Sequence, residues 1–275
     1  MRQEYSAFYL EMQEEIISGG GYQIERVTIA PGLSGTWVTL PGVSADRVIL
    51  FFHGGGFTLG STEDHLGMCI RLARAAKVRV FSVDYRLAPE HVFPAAVDDA
   101  VASYRYLIAN GFHPHRILPA GISAGGTLVL SLLLSVRDQN LGLPLAGMCF
   151  SPMVSMLLEG ESVKKNRERD SVTPERLVAV RTAWLAGHDP KDPLASPLFA
   201  VMNGLPRIYV QAGTHELLAS DIAAFVEKAR WAGVPVQADV WEGMFHTWQM
   251  YAGQIPEAEE AIERAGRFAG EILKR

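Results

Sequence analysis

Along the chain, short runs rich in β-branched and apolar residues alternate with longer stretches where apolar residues recur every three or four positions. The short runs predict strands at Arg26–Ile29, Gly35–Thr39, Val48–Phe52, Val78–Val83, Arg116–Ala120, Gly147–Phe150, Arg207–Gln211 and Gln237–Val240. The longer stretches predict helices at Ser61–Ala76, Ala95–Asn110, Ala124–Asp138, Pro174–Trp184, Ser220–Ala232 and Pro256–Leu273. The last helix has the clearest pattern. Ala258, Ala261, Ile262, Ala265, Phe268, Ala269 and Ile272 fall at helical spacing, while Glu259, Glu260, Glu263, Arg264 and Lys274 occupy the rest of its surface. Two early strands followed by repeated strand–helix units imply an α/β fold with a mostly parallel central sheet. Chemistry in such sheets sits outside the carboxyl ends of the strands, so each reactive motif should directly follow a strand.

Two segments break the alternation. Residues 1–23 read as an amphipathic helical stretch with Tyr5, Phe8, Tyr9, Met12 and Ile16 along one side. Residues 152–200 interrupt a strand-to-strand connection with a polar loop and a helix opened by Thr173 as N-cap and Pro174 at the first helical position. Insertions of this size suggest a cap over a site. With no internal repeat or linker-like run, the expected organisation is one domain over 1–275, its cap drawn from about 1–23 and 152–200.

Composition narrows the class. With 275 residues, 48% hydrophobic and 20% charged, the chain reads as globular. Size scaling predicts a folded surface of roughly 11,700 Å², enough burial that no disulfide or metal is needed. The net charge of −5 argues against a general nucleic-acid surface. The one basic cluster, Lys164 to Arg169, is flanked by Glu159, Glu161 and Asp170 and is expected to be a solvated face. Cys69 and Cys149 lie in apolar stretches and are expected in the core. His113 and His115 form an isolated pair that predicts a surface loop. No secretory leader or membrane span is expected, so the expected compartment is the cytoplasm.

Three motifs carry chemistry. After the strand ending near Ala120 comes Gly121-Ile122-Ser123-Ala124-Gly125-Gly126, then an apolar helix. This is G-x-S-x-G in a strand–turn–helix context, where a sharp turn lifts a serine hydroxyl to the top of the sheet. Ser123 is the candidate nucleophile, and the Ala124 amide at the helix start is a candidate oxyanion donor. Pro119 lacks a ladder donor in what should be a central strand, which predicts a local bulge. Next, Val48–Phe52 runs into His53-Gly54-Gly55-Gly56. Consecutive glycines let bare amides approach a ligand, so Gly55 and Gly56 are candidate oxyanion donors. Gly54 shapes the turn and His53 supports the loop. Finally, His246 follows the last strand, where a base belongs, and Glu216 follows the strand before it, giving the order Ser…Glu…His. Asp221 is the alternative acid, with helix capping as its expected role. His65, His91 and His188 show no partner pattern, and His215 lacks the required placement.

Together these motifs resemble the hormone-sensitive-lipase-like esterases of the α/β-hydrolase superfamily, near the bacterial branch that includes epsilon-lactone hydrolases. The resemblance also rests on Asp84–His91 with Phe93–Ala96, and on Asp192–Leu198. It implies an α/β-hydrolase fold with a small helical cap, acyl pockets between cap and sheet, frequent homodimers, and a structural role for Asp84–His91. Two departures stand out. Ile122 occupies a position usually held by Asp or Thr, which removes polar support at the elbow. The segment before the first strand is also shorter than the usual cap, implying a more open site. The expected activity is hydrolysis of short-chain acyl esters through Ser123, His246 and Glu216, with no cofactor or metal. Lactone hydrolysis by the same groups is the first alternative, and a non-catalytic ligand-binding protein of the same fold is the second. No nucleotide-binding motif follows a strand. Phe8, Tyr9, Met12, Met153, Trp184, Met202 and Phe245 are expected to line the acyl pocket.

Overall fold

The computed structural model describes residues 2–274, so Met1 and Arg275, the ends of the predicted 1–275 span, lie outside the described residues. Eight strands form one sheet: β1 (Gln23–Ala30), β2 (Leu33–Thr39), β3 (Ser44–Phe52), β4 (Val78–Asp84), β5 (Ile117–Ile122), β6 (Ala146–Phe150), β7 (Arg207–Gly213) and β8 (Val236–Trp241). Their order is β1-β2-β4-β3-β5-β6-β7-β8. Only the β1–β2 and β2–β4 pairs are antiparallel; every pairing from β4 to β8 is parallel. Helices α1 (Arg2–Met12), α2 (Glu14–Ser18), α3 (Leu66–Ala76), α4 (Ala95–Ala109), α5 (Ala124–Asp138), α6 (Glu161–Lys165), α7 (Pro174–Leu185), α8 (Ala219–Trp231) and α9 (Pro256–Leu273) complete the described chain. The accessible surface, 11455 Å², matches the size expectation.

Alternation along the buried strands sorts side chains onto two faces. On β3, Val48, Leu50 and Phe52 enter the core beneath α4, α5 and α8, while Ile49 and Phe51 enter the core beneath α3 and α9. Strands β5 and β6 are buried at every position, as strands covered by helices on both faces must be. Cys69 and Cys149 are buried free thiols, and burial pushes the Cys69 thiol up to about 12. No described helix is long and apolar enough to cross a membrane.

Several boundaries differ from expectation. The helix expected from Ser61 begins at Leu66. A 3₁₀ turn at Glu63–His65 precedes it, with Ser61 Oγ accepting from the Asp64 amide at 3.2 Å. The N-terminal stretch is two helices rather than one. It breaks at Gln13, whose side chain turns inward, accepting from Gly67 N at 2.5 Å and donating to Glu63 O at 3.0 Å. Phe8 is 49% exposed, so it leaves the expected apolar side. The 152–200 segment holds α6 in addition to α7; Thr173 caps α7 as expected, accepting from Arg176 N at 3.2 Å. The expected bulge at Pro119 is absent. Its register with β3 runs unshifted from Val48↔Ile117 to Phe52↔Gly121, and the β6 ladder begins only at Ala120.

Candidate active site

The nucleophile side is built from β5, α5 and the loop after β3. Ser123 joins strand to helix with φ 54° and ψ −118°. A non-glycine residue costs about 1–3 kcal/mol in such a conformation, so the surroundings must enforce it. They do so by close approach. A Cβ on Gly125 would lie 2.0 Å from the Phe52 carbonyl oxygen, and one on Gly121 would lie 2.3 Å from that of Gly125. Ile122 is fully buried among apolar neighbours, so apolar packing stands where the resemblance implies Asp or Thr, in line with the expected loss of polar support.

The glycine loop lies against this turn. Gly55 has φ 109° and Gly56 φ 61°, values that suit glycine. The N–H groups of Gly55, Gly56 and Ala124 donate to no acceptor among the described residues. Gly54 N, by contrast, donates to His65 Nε2 at 3.1 Å. His53 Nδ1 lies 2.7 Å from Gly54 O, its ring stacks on Tyr85 at 4.1 Å, and its carbonyl accepts from Tyr85 Oη at 2.9 Å. His65, which showed no partner pattern in the sequence, therefore holds this loop. Burial, with the neighbouring His53, pushes its pKa down to about 3, so it stays neutral. A neutral ring that donates from Nδ1 to Ser61 O at 3.0 Å leaves Nε2 free to accept from Gly54. The Asp84–His91 run buttresses the same region: Asp84 Oδ1 accepts from Thr62 N at 2.7 Å, and Arg86 pairs with Asp99 at 2.8 Å.

The acid and base come from the loops after β7 and β8. Ser123 Oγ lies 2.8 Å from His246 Nε2, and His246 Nδ1 lies 3.0 Å from Glu216 Oε2. Glu216 is fully buried; its Oε1 accepts from Gly213 N at 2.6 Å and Ser151 Oγ at 2.9 Å. Burial alone would pull the His246 pKa down. The hydrogen bond and charge of Glu216, reinforced by Asp170, outweigh it and raise that pKa above its ordinary value.

Asp170, Asn166, Ser151 and Ser171 were not singled out as site residues in the sequence. Asp170 Oδ1 accepts from His246 N and its Oδ2 from Leu217 N, both at 2.6 Å, so one carboxylate ties the base loop to the acid loop. Asn166, 2% exposed, donates to Thr214 O at 2.9 Å and Glu216 O at 2.8 Å. Ser171 Oγ donates to His246 O at 3.0 Å. The basic cluster is thus only partly a solvated face: Lys164, Lys165, Arg167 and Arg169 are exposed, while Asn166 between them is buried. A polar residue at i and an acid at i+4 was the one available signal, and the surrounding charges hid it.

The other candidates resolve differently. Asp221 lies inside the first turn of α8, whose N-cap position is Leu218, so it does not cap the helix. It is 8% exposed, and burial pushes its carboxyl up to about 6. His215 makes no side-chain hydrogen bond among the described residues. His113 and His115 form an exposed turn, and no cluster of metal-ligating side chains occurs among the described residues.

A narrow cavity of about 80 Å³ opens at Ser123. Of the residues expected to line it, Tyr9 and Met153 do. Trp184 is instead buried against Phe57, stacked at 3.5 Å, where it fastens α7 over the glycine loop. Met202 is core, Phe245 packs against Tyr251 at 5.3 Å, Met12 lies outside the lining and Phe8 is exposed. Tyr5, Val172, Arg176, Leu177, Val180 and Met250 also line it. A larger hollow of about 440 Å³ beside α8 and β8 does not include Ser123.

This fold, with its serine at the strand–helix turn, defines an α/β-hydrolase. A family model described as the alpha/beta hydrolase fold matches residues 49–250, and the chain belongs to that family. Within it the chain is a hormone-sensitive-lipase-like esterase, a carboxylesterase-class hydrolase. It is 40% identical over 243 residues to an acetyl-hydrolase of Streptomyces hygroscopicus, covering 86% of this chain and 81% of that protein. It is 36% identical over 228 residues to an esterase of Acinetobacter venetianus, covering 82% and 75%. A crystal structure of an esterase from the bacterial hormone-sensitive lipase family superimposes with a TM-score of 0.92 at 40% identity, covering 99% of this chain and 90% of that one.

Proposed function

We propose that this esterase hydrolyses short-chain acyl esters, with Ser123 as nucleophile, His246 as general base and then acid, and Glu216 as the group that orients and charge-stabilises the imidazole. The observation that carries the reading is the unbroken chain Ser123 Oγ–His246 Nε2 at 2.8 Å and His246 Nδ1–Glu216 Oε2 at 3.0 Å. His246 takes the Ser123 proton as Oγ attacks the ester carbonyl. The free N–H groups of Gly55, Gly56 and Ala124 stabilise the resulting oxyanion, each such donor being worth roughly 10²–10³ in rate. His246 then protonates the leaving alcohol, and water activated by the same ring releases the acid.

The described residues act as one domain in this reading, and α1, α2 and the 152–200 segment form the cap, since Tyr5, Tyr9, Arg176 and Val180 all line the cavity. The small volume at Ser123 and the acetyl-hydrolase relative support a short acyl group. The family's tendency to dimerise is carried over, to be checked by light scattering.

The test is a panel of p-nitrophenyl esters from acetate to decanoate beside a set of lactones, with Ser123→Ala as control and fluorophosphonate labelling of Ser123. Activity is expected to peak at short chains, with no labelling and no hydrolysis in the variant. A maximum at long chains overturns the chain-length assignment. Faster turnover of lactones redirects it to the alternative substrate, and full activity in Ser123→Ala removes the nucleophile.

A further inference from the structure

The wall of the cavity carries an unusual distribution of charge. Among the described residues no carboxylate lines it, and the one permanently charged side chain there is Arg176, on the first turn of α7. Arg176 makes no side-chain hydrogen bond or ion pair among the described residues. Its neighbours are already matched: Glu175 pairs with Arg167 at 2.6 Å, and Arg2 with Glu90 at 2.7 Å. The chain is net negative, so an unmatched arginine here does not belong to a general basic surface. Tyr5 and Tyr9 face the same cavity, their rings 4.7 Å apart, and both feel the Arg176 charge. Burial pushes the Tyr9 phenol up to about 12 and the Tyr5 phenol well above its ordinary value, so both remain protonated, with Tyr9 hydrogen-bonded to Tyr5 and Thr247. Asp64, the acid whose charge reaches Tyr5, is 1% exposed and does not line the cavity. Beyond Arg176 the cavity adjoins a second hollow of about 570 Å³, with Arg176 and Val180 common to both; the paired Arg2, Glu90 and Glu175 also line that hollow.

We propose that the preferred substrates are esters bearing an anionic carboxylate remote from the ester group, held by Arg176 and the phenols of Tyr5 and Tyr9 while the ester sits at Ser123. This inference rests on the esterase reading above. A guanidinium presents a fork of N–H donors that matches a carboxylate, whereas a neutral ester or amide offers only uncharged acceptors, which it holds more weakly. The reaction is the same acyl transfer; Arg176 sets which ester is taken.

The test compares each anionic ester with its neutral amide counterpart, by pH-stat at pH 8. One pair is 4-acetoxybutyrate and 4-acetoxybutyramide, with the charge on the alcohol side. The other is monoethyl glutarate and ethyl glutaramate, with the charge on the acyl side. In one pair the wild-type protein is expected to favour the anion in kcat/KM by about two- to fivefold, the scale of an ion pair to an exposed arginine. That pair assigns the side. The preference is expected to shrink with added salt, as it must for a charge at an open mouth. Arg176→Gln should remove it, Arg176→Glu should invert it and Arg176→Lys should restore part of it. A ratio near one in both pairs, unchanged in Arg176→Gln while wild type turns over p-nitrophenyl acetate, overturns the proposal and leaves the esterase reading intact. Failure of wild type to hydrolyse p-nitrophenyl acetate or either pair overturns both.

Discussion

The two halves of the candidate site are built in opposite ways. Ser123, Gly55, Gly56 and Ala124 follow neighbouring strands of the sheet, β3 and β5, and are set by backbones that touch one another directly. Glu216 and His246 sit on loops after β7 and β8 that bond to each other directly, His215 N to Met244 O at 3.0 Å and Gly243 N to Thr214 Oγ1 at 2.9 Å. The 152–200 segment adds Asp170, which bonds both loops, and Asn166, which holds the acid loop. The first half is held by sterics that glycine permits. The second is held by hydrogen bonds, between its own two loops and from a polar stretch 47 to 76 residues away in sequence. Sheet packing can therefore position a nucleophile, while the base here also depends on how an insertion docks.

Substitutions can break this comparison. The largest effect is expected at Glu216. Replacing it with Gln leaves the imidazole without its charge partner, and kcat is expected to fall about 10³–10⁴-fold in a p-nitrophenyl acetate assay. A loss under tenfold would mean that His246 is oriented by Asp170 and Ser171 without its acid.

Asp170→Asn comes next. It removes one charge and leaves one acceptor for two amides, so kcat/KM is expected to fall by roughly 10–10². A second readout separates this from simple loosening. His246 must be neutral to act as base, so activity falls as pH drops through its pKa, which lies above the ordinary value of about 6.5. Asp170 helps raise it, so the acid limb of the pH profile should move to lower pH in Asp170→Asn. An unmoved limb would reduce Asp170 to a structural tie.

The nucleophile half is expected to respond to volume instead. A Cβ on Gly56 would lie 2.6 Å from Val180 Cγ1, so Gly56→Ala should lower kcat about tenfold and cost about 1–3 kcal/mol of stability. Adding Val180→Ala should recover part of both, measured by kinetics and chemical denaturation. No recovery would place the whole cost in the positive φ.

The smallest effect concerns His65. Its folded pKa of about 3 is below the unfolded value near 6.5, so its contribution to stability is complete above pH 6.5 and is lost as pH falls toward 3. The wild-type melting temperature should therefore decline between pH 7 and 5, and less steeply in His65→Gln.

The same contrast explains what could be read from sequence. Gly121–Gly126 and His53–Gly56 are contiguous, and their chemistry is local, so residue type and spacing carried the argument. Glu216 and His246 were legible because chain order after successive strands is itself a signal. Asn166 and Asp170 were not, because their partners are backbone amides and carbonyls, which no residue type marks, and their own i, i+4 spacing is lost among the surrounding charges. The lining of the cavity was misread for a related reason: large apolar residues such as Trp184 and Met202 suit a pocket or a core equally, and burial decided for the core. Strand positions were legible within a few residues; the start of α3 was not, because side-chain bonds at Ser61 and His65 stop an otherwise helical pattern.

Neither α1 nor α2 contains a fully buried residue, whereas 13 of the 15 residues of α5 are buried. The N-terminal helices are fastened mainly by polar groups: Arg2 on Thr58, Ala88 and Glu90, and Gln13 on Glu63 and Gly67. An element held by few buried apolar contacts opens far more often than the whole protein unfolds. The wall that carries Tyr5 and Tyr9 is therefore the part of the cavity that renews itself fastest. Amide exchange in α1 should run orders of magnitude ahead of α5, so the nucleophile stays ordered while the wall facing it opens and closes.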